Sequence, residues 1–232
     1  MEYRNKVFFT ISGVMKMNQL VQTFTKSILQ GDVHSLLELH ASAIESKMDH
    51  LSFYEKVVKP SMYRIGEMWE KNQITVADEH LATATLKYLL SYLMNEHKAG
   101  KNQPKALLFC IEGEQHSLGL ELANEIFKEH KWNTRFLGAN VPINDAVTFI
   151  EAWQPQMVGI SIGMTTELGR LKTCIESIRK VNEKINIVVG GRLVAQYKLD
   201  FLEKEQVMTF NDLDELNSHL TDLSKQSVSL ES

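Results

Sequence analysis

Two periodicities divide the chain. From Asn18 to about Glu96 apolar residues recur at helical spacing, beginning with Leu20, Val21, Phe24 and Ile28, and Gly31-Asp32 supplies a stop followed by an N-cap. The pattern predicts a second helix over Val33 to about Lys47. A third runs from Phe53 to Glu70, where Tyr54, Val57, Val58, Met62, Ile65 and Trp69 recur at helical spacing and Pro60 introduces a bend. The fourth starts after Asn72-Gln73, capped by Thr75 or Asp78, and continues through His80, Leu81, Thr85, Tyr88, Leu89 and Leu93. Four short-looped helices predict a bundle over residues 17–98. Lys98 to Lys105, with Ala99, Gly100, Asn102 and Pro104, has no periodicity and reads as a linker.

From Ala106 the period changes. Short apolar runs, Ala106 to Cys110, Thr134 to Leu137, Met157 to Ile162, Ile185 to Val189 and Val207 to Phe210, alternate with amphipathic stretches. This predicts βα units on a five-stranded parallel sheet, an α/β, Rossmann-like (flavodoxin-like) domain over residues 104–223, with ligands outside the carboxyl ends of the strands. Residues 1–16 read as an extension and 224–232 as a polar tail.

Composition narrows the function classes. A chain of 232 residues with 44% hydrophobic and 23% charged content has material for two small domains. A net charge of -4 gives no drive toward a phosphate backbone, and no recognition-helix or zinc-finger pattern is present, so direct nucleic-acid binding is not expected. Cys110 and Cys174 lack CxxC or metal spacing and read as buried reduced thiols of a cytoplasmic protein. The apolar run Val7 to Met15 is too short to span a membrane.

Candidate chemistry collects at the predicted strand ends. Glu114-Gln115-His116-Ser117-Leu118-Gly119 follows the first strand, Ser161-Ile162-Gly163 the third and Gly190-Gly191 the fourth. Taken singly, each has an ordinary explanation. A loop histidine is most often solvated, Ser161 can bond local backbone, and Gly190-Gly191 can serve a βα turn needing positive φ. Gly119 in the first turn of a helix costs about 1 kcal/mol relative to alanine and needs a reason. In the helical half, Trp69 reads as a core anchor, whereas Glu79-His80 puts adjacent polar groups near the start of an otherwise apolar helix, where burial would demand partners.

Together, with 41 residues between Gly119 and Ser161 and 26 between Gly163 and Gly190, these segments resemble the cobalamin-binding pattern DxHxxG, SxL, GG. The resemblance implies a base-off/His-on vitamin B12-binding protein in which His116 replaces the cofactor's dimethylbenzimidazole as lower cobalt ligand. Neutral imidazole suits that metal. Glu114 stands where the family has the Asp that orients the ring, and Gly163 where it often has Leu. By the same resemblance Gly119 admits the nucleotide tail, Ser161 meets the dimethylbenzimidazole nitrogen, and Gly190-Gly191 completes the site.

Trp69 followed after nine residues by Glu79-His80 resembles the cap over the upper cobalt face in light-sensing adenosylcobalamin repressors of the MerR type. That places Trp69, Glu79 and His80 in an upper-ligand pocket. Glu70 stands where those photoreceptors can carry a cobalt-capturing histidine, which excludes a bis-histidine light adduct through that position. The resemblance spans about residues 18–210 and does not include a MerR DNA-binding domain. It implies a regulatory adenosylcobalamin light sensor, not an enzyme, acting through a protein partner or its own assembly. The alternative is a corrinoid subunit carrying a methyl group, as methylcobalamin, between methyltransferase partners. A phospho-receiver on the same fold lacks its acidic pair, because the first strand ends Phe109-Cys110-Ile111-Glu112.

Overall fold

The computed structural model describes residues 13–93, 100 and 102–230 and divides into two compact units, Met1–Asn95 and Glu96–Ser232. The first is helical: α1 (Gly13–Leu29), α2 (Val33–Glu45), α3 (His50–Phe53), a π-helical turn (Tyr54–Val58), α4 (Lys59–Glu70) and α5 (Val76–Leu93). Local chemistry sets these limits. Gly31, at φ 69°, ends α1 in a Schellman motif, with Asp32 N–H on the Ser27 carbonyl and Gly31 N–H on that of Ile28. Asp32 then caps α2 by accepting from the Ser35 N–H. Thr75 and Asp78 exchange side-chain and backbone bonds at the start of α5. Phe24, Ile28, Leu36, Phe53, Val57, Ile65, Leu86 and Leu89 have no exposed surface. Burial of each such side chain is worth about 1.5–3 kcal/mol.

Three helical expectations are corrected. The third helix begins earlier, at His50 behind the Asp49 cap, and the bend expected at Pro60 is a π turn just before it. Proline has no N–H for the Lys56 carbonyl and its ring crowds that group; the widened turn, in which Lys59 N–H reaches Tyr54 O, relieves the conflict. Residues 13–16, expected in an extension, belong to α1, while residues 1–12 lie outside the described residues. The expected linker falls partly there too. At the other end α11 (Leu213–Leu230) continues through most of the expected polar tail. Its early turns bury Leu216 and Leu220, and Ser, Lys and Gln are polar without breaking a helix.

The second unit alternates strand and helix: β1 (Lys105–Ile111), α6 (Leu118–Glu129), β2 (Asn133–Val141), α7 (Ile143–Trp153), β3 (Met157–Ser161), a 3₁₀ turn (Thr165–Glu167), α8 (Leu168–Val181), β4 (Asn186–Gly190), α9 (Arg192–Gln196), α10 (Asp200–Lys204) and β5 (Met208–Phe210), then α11. All pairings are parallel, in the order β2-β1-β3-β4-β5. Leu107, Phe109, Val158, Ile160, Ile187 and Val189 pack with Ala146 and Ile150 of α7 and Leu171, Ile175 and Ile178 of α8. Helices α6 and α11 pack together, α6 also meeting β1 and β2, and α11 meeting β5. Strand β1 is joined to β2 on one side and β3 on the other, so the chain reverses winding between β1 and β3. The loops beyond their carboxyl ends form the crevice of this fold.

Candidate functional site

The loop from β1 to α6 brings a carboxylate and an imidazole together at that crevice. The Glu114 side chain is fully buried, 0% exposed, and accepts three N–H groups: from His116 backbone at 2.8 Å, His116 Nδ1 at 2.7 Å and Gly163 backbone, beyond β3, at 2.6 Å. Burial pushes the Glu114 carboxyl upward, but the bonds from His116 and Gly163 outweigh it and hold the group below its ordinary value. A carboxylate can only accept, so Nδ1 carries a proton, and a neutral ring would then hold its lone pair on Nε2. The ring is 69% exposed. An imidazole oriented by a buried carboxylate is what a borderline transition-metal ion requires of a nitrogen ligand, so these residues fit a cobalt-bearing cofactor.

The glycines separate by cause. Gly191 lies at φ 110°, and a Cβ there would stand 2.3 Å from the Ile162 carbonyl oxygen; the fold itself demands glycine. Gly190 is different: its carbonyl accepts Ile162 N–H at 3.1 Å, yet a Cβ would come no nearer than 3.7 Å to the Phe210 carbonyl. At Gly119, in the first turn of α6, a Cβ meets nothing within 4 Å, so no described neighbour explains the helix-weakening residue. A Cβ on Gly163 would sit 2.9 Å from Glu114 Oε2. The two departures from the cobalamin-binding pattern are therefore coupled, since the longer carboxylate occupies room that a larger side chain would need. Ser161, buried at the end of β3, pairs with Cys110 of β1 and Gly190 of β4.

Asn140 and Glu167 make interactions around this loop that were not anticipated from sequence. Asn140 accepts Gly113 N–H on Oδ1 at 2.8 Å and donates its own N–H to the Glu114 carbonyl at 2.9 Å. Glu167 lies against Gly113 and pairs with Arg170. The signal available in the sequence was an asparagine, a residue tolerant of left-handed backbone, just before Val141-Pro142.

Trp69, Glu79 and His80 belong to the helical unit. Trp69 lies in the last turn of α4 and is 48% exposed, so it is not the core anchor that a lone tryptophan suggests. Glu79 accepts from the Thr83 hydroxyl at 2.9 Å and stands 3.6 Å from His80 Nε2. The His80 side chain is 74% exposed and that of Glu79 32%. Cys110 and Cys174 are buried and outside any disulfide, and burial pushes the Cys174 thiol up to about 12. Among the described residues no helix is long and apolar enough to cross a membrane, and no group of three or more His, Cys, Asp or Glu is placed to hold a metal ion.

Comparison with known proteins adds lineage to this geometry. One B12 binding domain family matches residues 104–212 and a second B12 binding domain family matches residues 20–94. A corrinoid protein of Desulfitobacterium hafniense is 21% identical over 78% of this chain and 87% of its own. The trimethylamine corrinoid protein of Methanosarcina barkeri is 23% identical over 77% and 85%. The HTH-type transcriptional repressor CarH of Myxococcus xanthus is 30% identical over 61% of this chain and 47% of its own. The solved monomethylamine corrinoid protein of Methanosarcina barkeri shares the fold, with TM-score 0.72 at 18% identity over 89% of this chain and 99% of that one. With both units matched, and with an imidazole presented on a buried carboxylate at the strand ends, the chain belongs to the B12-binding-domain proteins and binds cobalamin.

Proposed function

We propose that the chain is a corrinoid carrier, holding cobalamin with His116 as lower axial ligand while partner proteins load and unload the cofactor's upper face. The observation that carries this is the bond from His116 Nδ1 to the buried Glu114 carboxylate. Bound cobalamin supplies a cobalt centre able to exchange an alkyl group. The protein's part is to aim the ring: Glu114 keeps the proton on Nδ1 and Gly163 N–H fixes the carboxylate, while Gly119, Ser161, Gly190 and Gly191 would border the displaced nucleotide. The carrier reading draws support from corrinoid relatives of methylamine systems that this chain matches over most of their length, against about half of the repressor. Such a carrier is not itself a catalyst and needs a protein partner at each transfer.

A second reading keeps one specific support. The spacing of Trp69 to Glu79-His80 favours an adenosylcobalamin light sensor acting through a partner or its own assembly. One set of spectra tests both. Protein reconstituted with hydroxocobalamin should show a histidine-ligated visible spectrum, and His116→Ala should lose it together with most of the affinity. An unchanged spectrum and Kd in that variant would overturn the ligand. Trp69→Ala should weaken hydroxocobalamin and adenosylcobalamin equally for a carrier; selective loss of adenosylcobalamin, with a change of assembly after green light, would establish the sensor instead.

A further inference from the structure

We infer that Asn140, which lies outside the three-segment pattern, is the positioning residue that fixes the aim of the His116 ligand; the inference rests on the ligand role proposed for His116. Register places Asn140 beside the loop. Strand β2 accommodates one extra residue opposite the step from Leu108 to Phe109 and another opposite Phe109 to Ile111. These bulges bring Gly138 to φ 85° and Asn140 to φ 55°, left-handed backbone that ordinary side chains adopt at a cost and Gly and Asn accept. The second bulge turns Asn140 toward the β1–α6 loop, where its two hydrogen bonds hold peptide groups on both sides of the Gly113–Glu114 unit.

That unit has little other freedom. Glu114 N–H bonds the Ile111 carbonyl, and Gly113, at φ 95°, is pressed against Glu167, where a Cβ would lie 2.5 Å from a carboxylate oxygen. With Asn140 in place, the backbone that carries Glu114 is held where its carboxylate meets both His116 and Gly163. Without the Oδ1 acceptor, Gly113 N–H loses its partner and the loop can rotate, carrying the carboxylate and the ring with it. Asn140 would thus act on the proposed ligand only through Glu114.

Two variants separate positioning from mere folding. Asn140→Gly keeps the left-handed backbone and the N–H to Glu114 but removes Oδ1, whereas Asn140→Asp keeps an acceptor. Hydroxocobalamin affinity should fall about tenfold in Asn140→Gly and stay near the parent value in Asn140→Asp, in the range seen when outer partners of metal ligands are removed. In 15N-histidine-labelled protein holding reduced cobalamin, the electron-spin-resonance splitting from one imidazole nitrogen should weaken in Asn140→Gly alone. Equal affinity and splitting in parent and Asn140→Gly would overturn the inference, as would equal losses in both variants. Ring 15N shifts of the unloaded chain distinguish it from the functional reading. A single Nδ1–H tautomer of His116 in the parent and a mixture in Asn140→Gly would sustain the inference even if no cobalamin bound, and an unaltered tautomer would sink it.

Discussion

One methylene decides how the carboxylate and its neighbours share space. Glu114 reaches the His116 ring and Gly163 N–H together because position 163 carries no side chain. Gly163→Ala should leave the fold intact, since the atom it displaces is the far end of a flexible side chain, yet weaken cobalamin binding by shifting the carboxylate. Pairing Gly163→Leu with Glu114→Asp should recover affinity lost in Gly163→Leu alone. Coupling in such cycles is typically about 0.5–3 kcal/mol, and additive losses in the titrated Kd values would refute the steric account. Gly119→Ala should move two measurements in opposite directions: the unloaded chain gains up to about 1 kcal/mol by denaturant titration, while cobalamin affinity falls. If affinity is unmoved, the nucleotide tail does not approach that residue. Gly191→Ala makes the contrast, with a loss near the upper end of single-residue effects, about 3 kcal/mol, because backbone and not a side chain stands in the way.

Between elements, one contact has a pH signature. His40 of α2 and His50 of α3 face each other, Nε2 to Nδ1 at 3.3 Å, with Phe53 edge-on to the His40 ring. Burial, and then the charge of His50, hold the His40 pKa below its ordinary 6.5; burial does the same to His219 in α11, opposed in part by Asp222. A histidine depressed in the fold binds fewer protons than in the unfolded chain, so stability is lost as pH falls from 6.5 toward the depressed values. Urea midpoints for the helical unit should be lower at about pH 5.5 than at about pH 7.5. His40→Gln should flatten that dependence, and an unaltered slope would clear His40 of the effect.

The same scale shows what sequence could and could not carry. Helix limits were readable where one side chain or glycine sets them, as at Gly31, Asp32 and Thr75-Asp78, and the strands stood out as apolar runs. The π turn was not, because Pro60 announces only that a bond is missing and not how the turn relaxes. That His116, Ser161 and Gly190-Gly191 lie at or beyond strand ends followed from the apolar runs, whereas their grouping into one site came only through the resemblance to the cobalamin-binding pattern. The Asn140 bonds were hidden, since they depend on bulges in the register between two strands that no residue in β2 declares.

At the level of the molecule, each unit has its own core. A fragment beginning at Gln103 should therefore fold and retain the Glu114–His116 contact, visible as the Nδ1–H tautomer; a disordered fragment would show that the sheet unit needs the helical one. If the proposed site after β1, β3 and β4 holds it, cobalamin should stabilise the sheet unit by mass action, roughly 2.7 kcal/mol at a hundredfold excess over Kd. A further consequence comes from the two thiols buried in the same unit, one in the β1 strand behind the site and one in α8. Neither can meet an alkylating reagent while the sheet is closed, and the Cys174 thiolate is suppressed as well. The rate at which a maleimide consumes them is thus a clock for the opening of the sheet, and cobalamin should slow it in proportion to its grip.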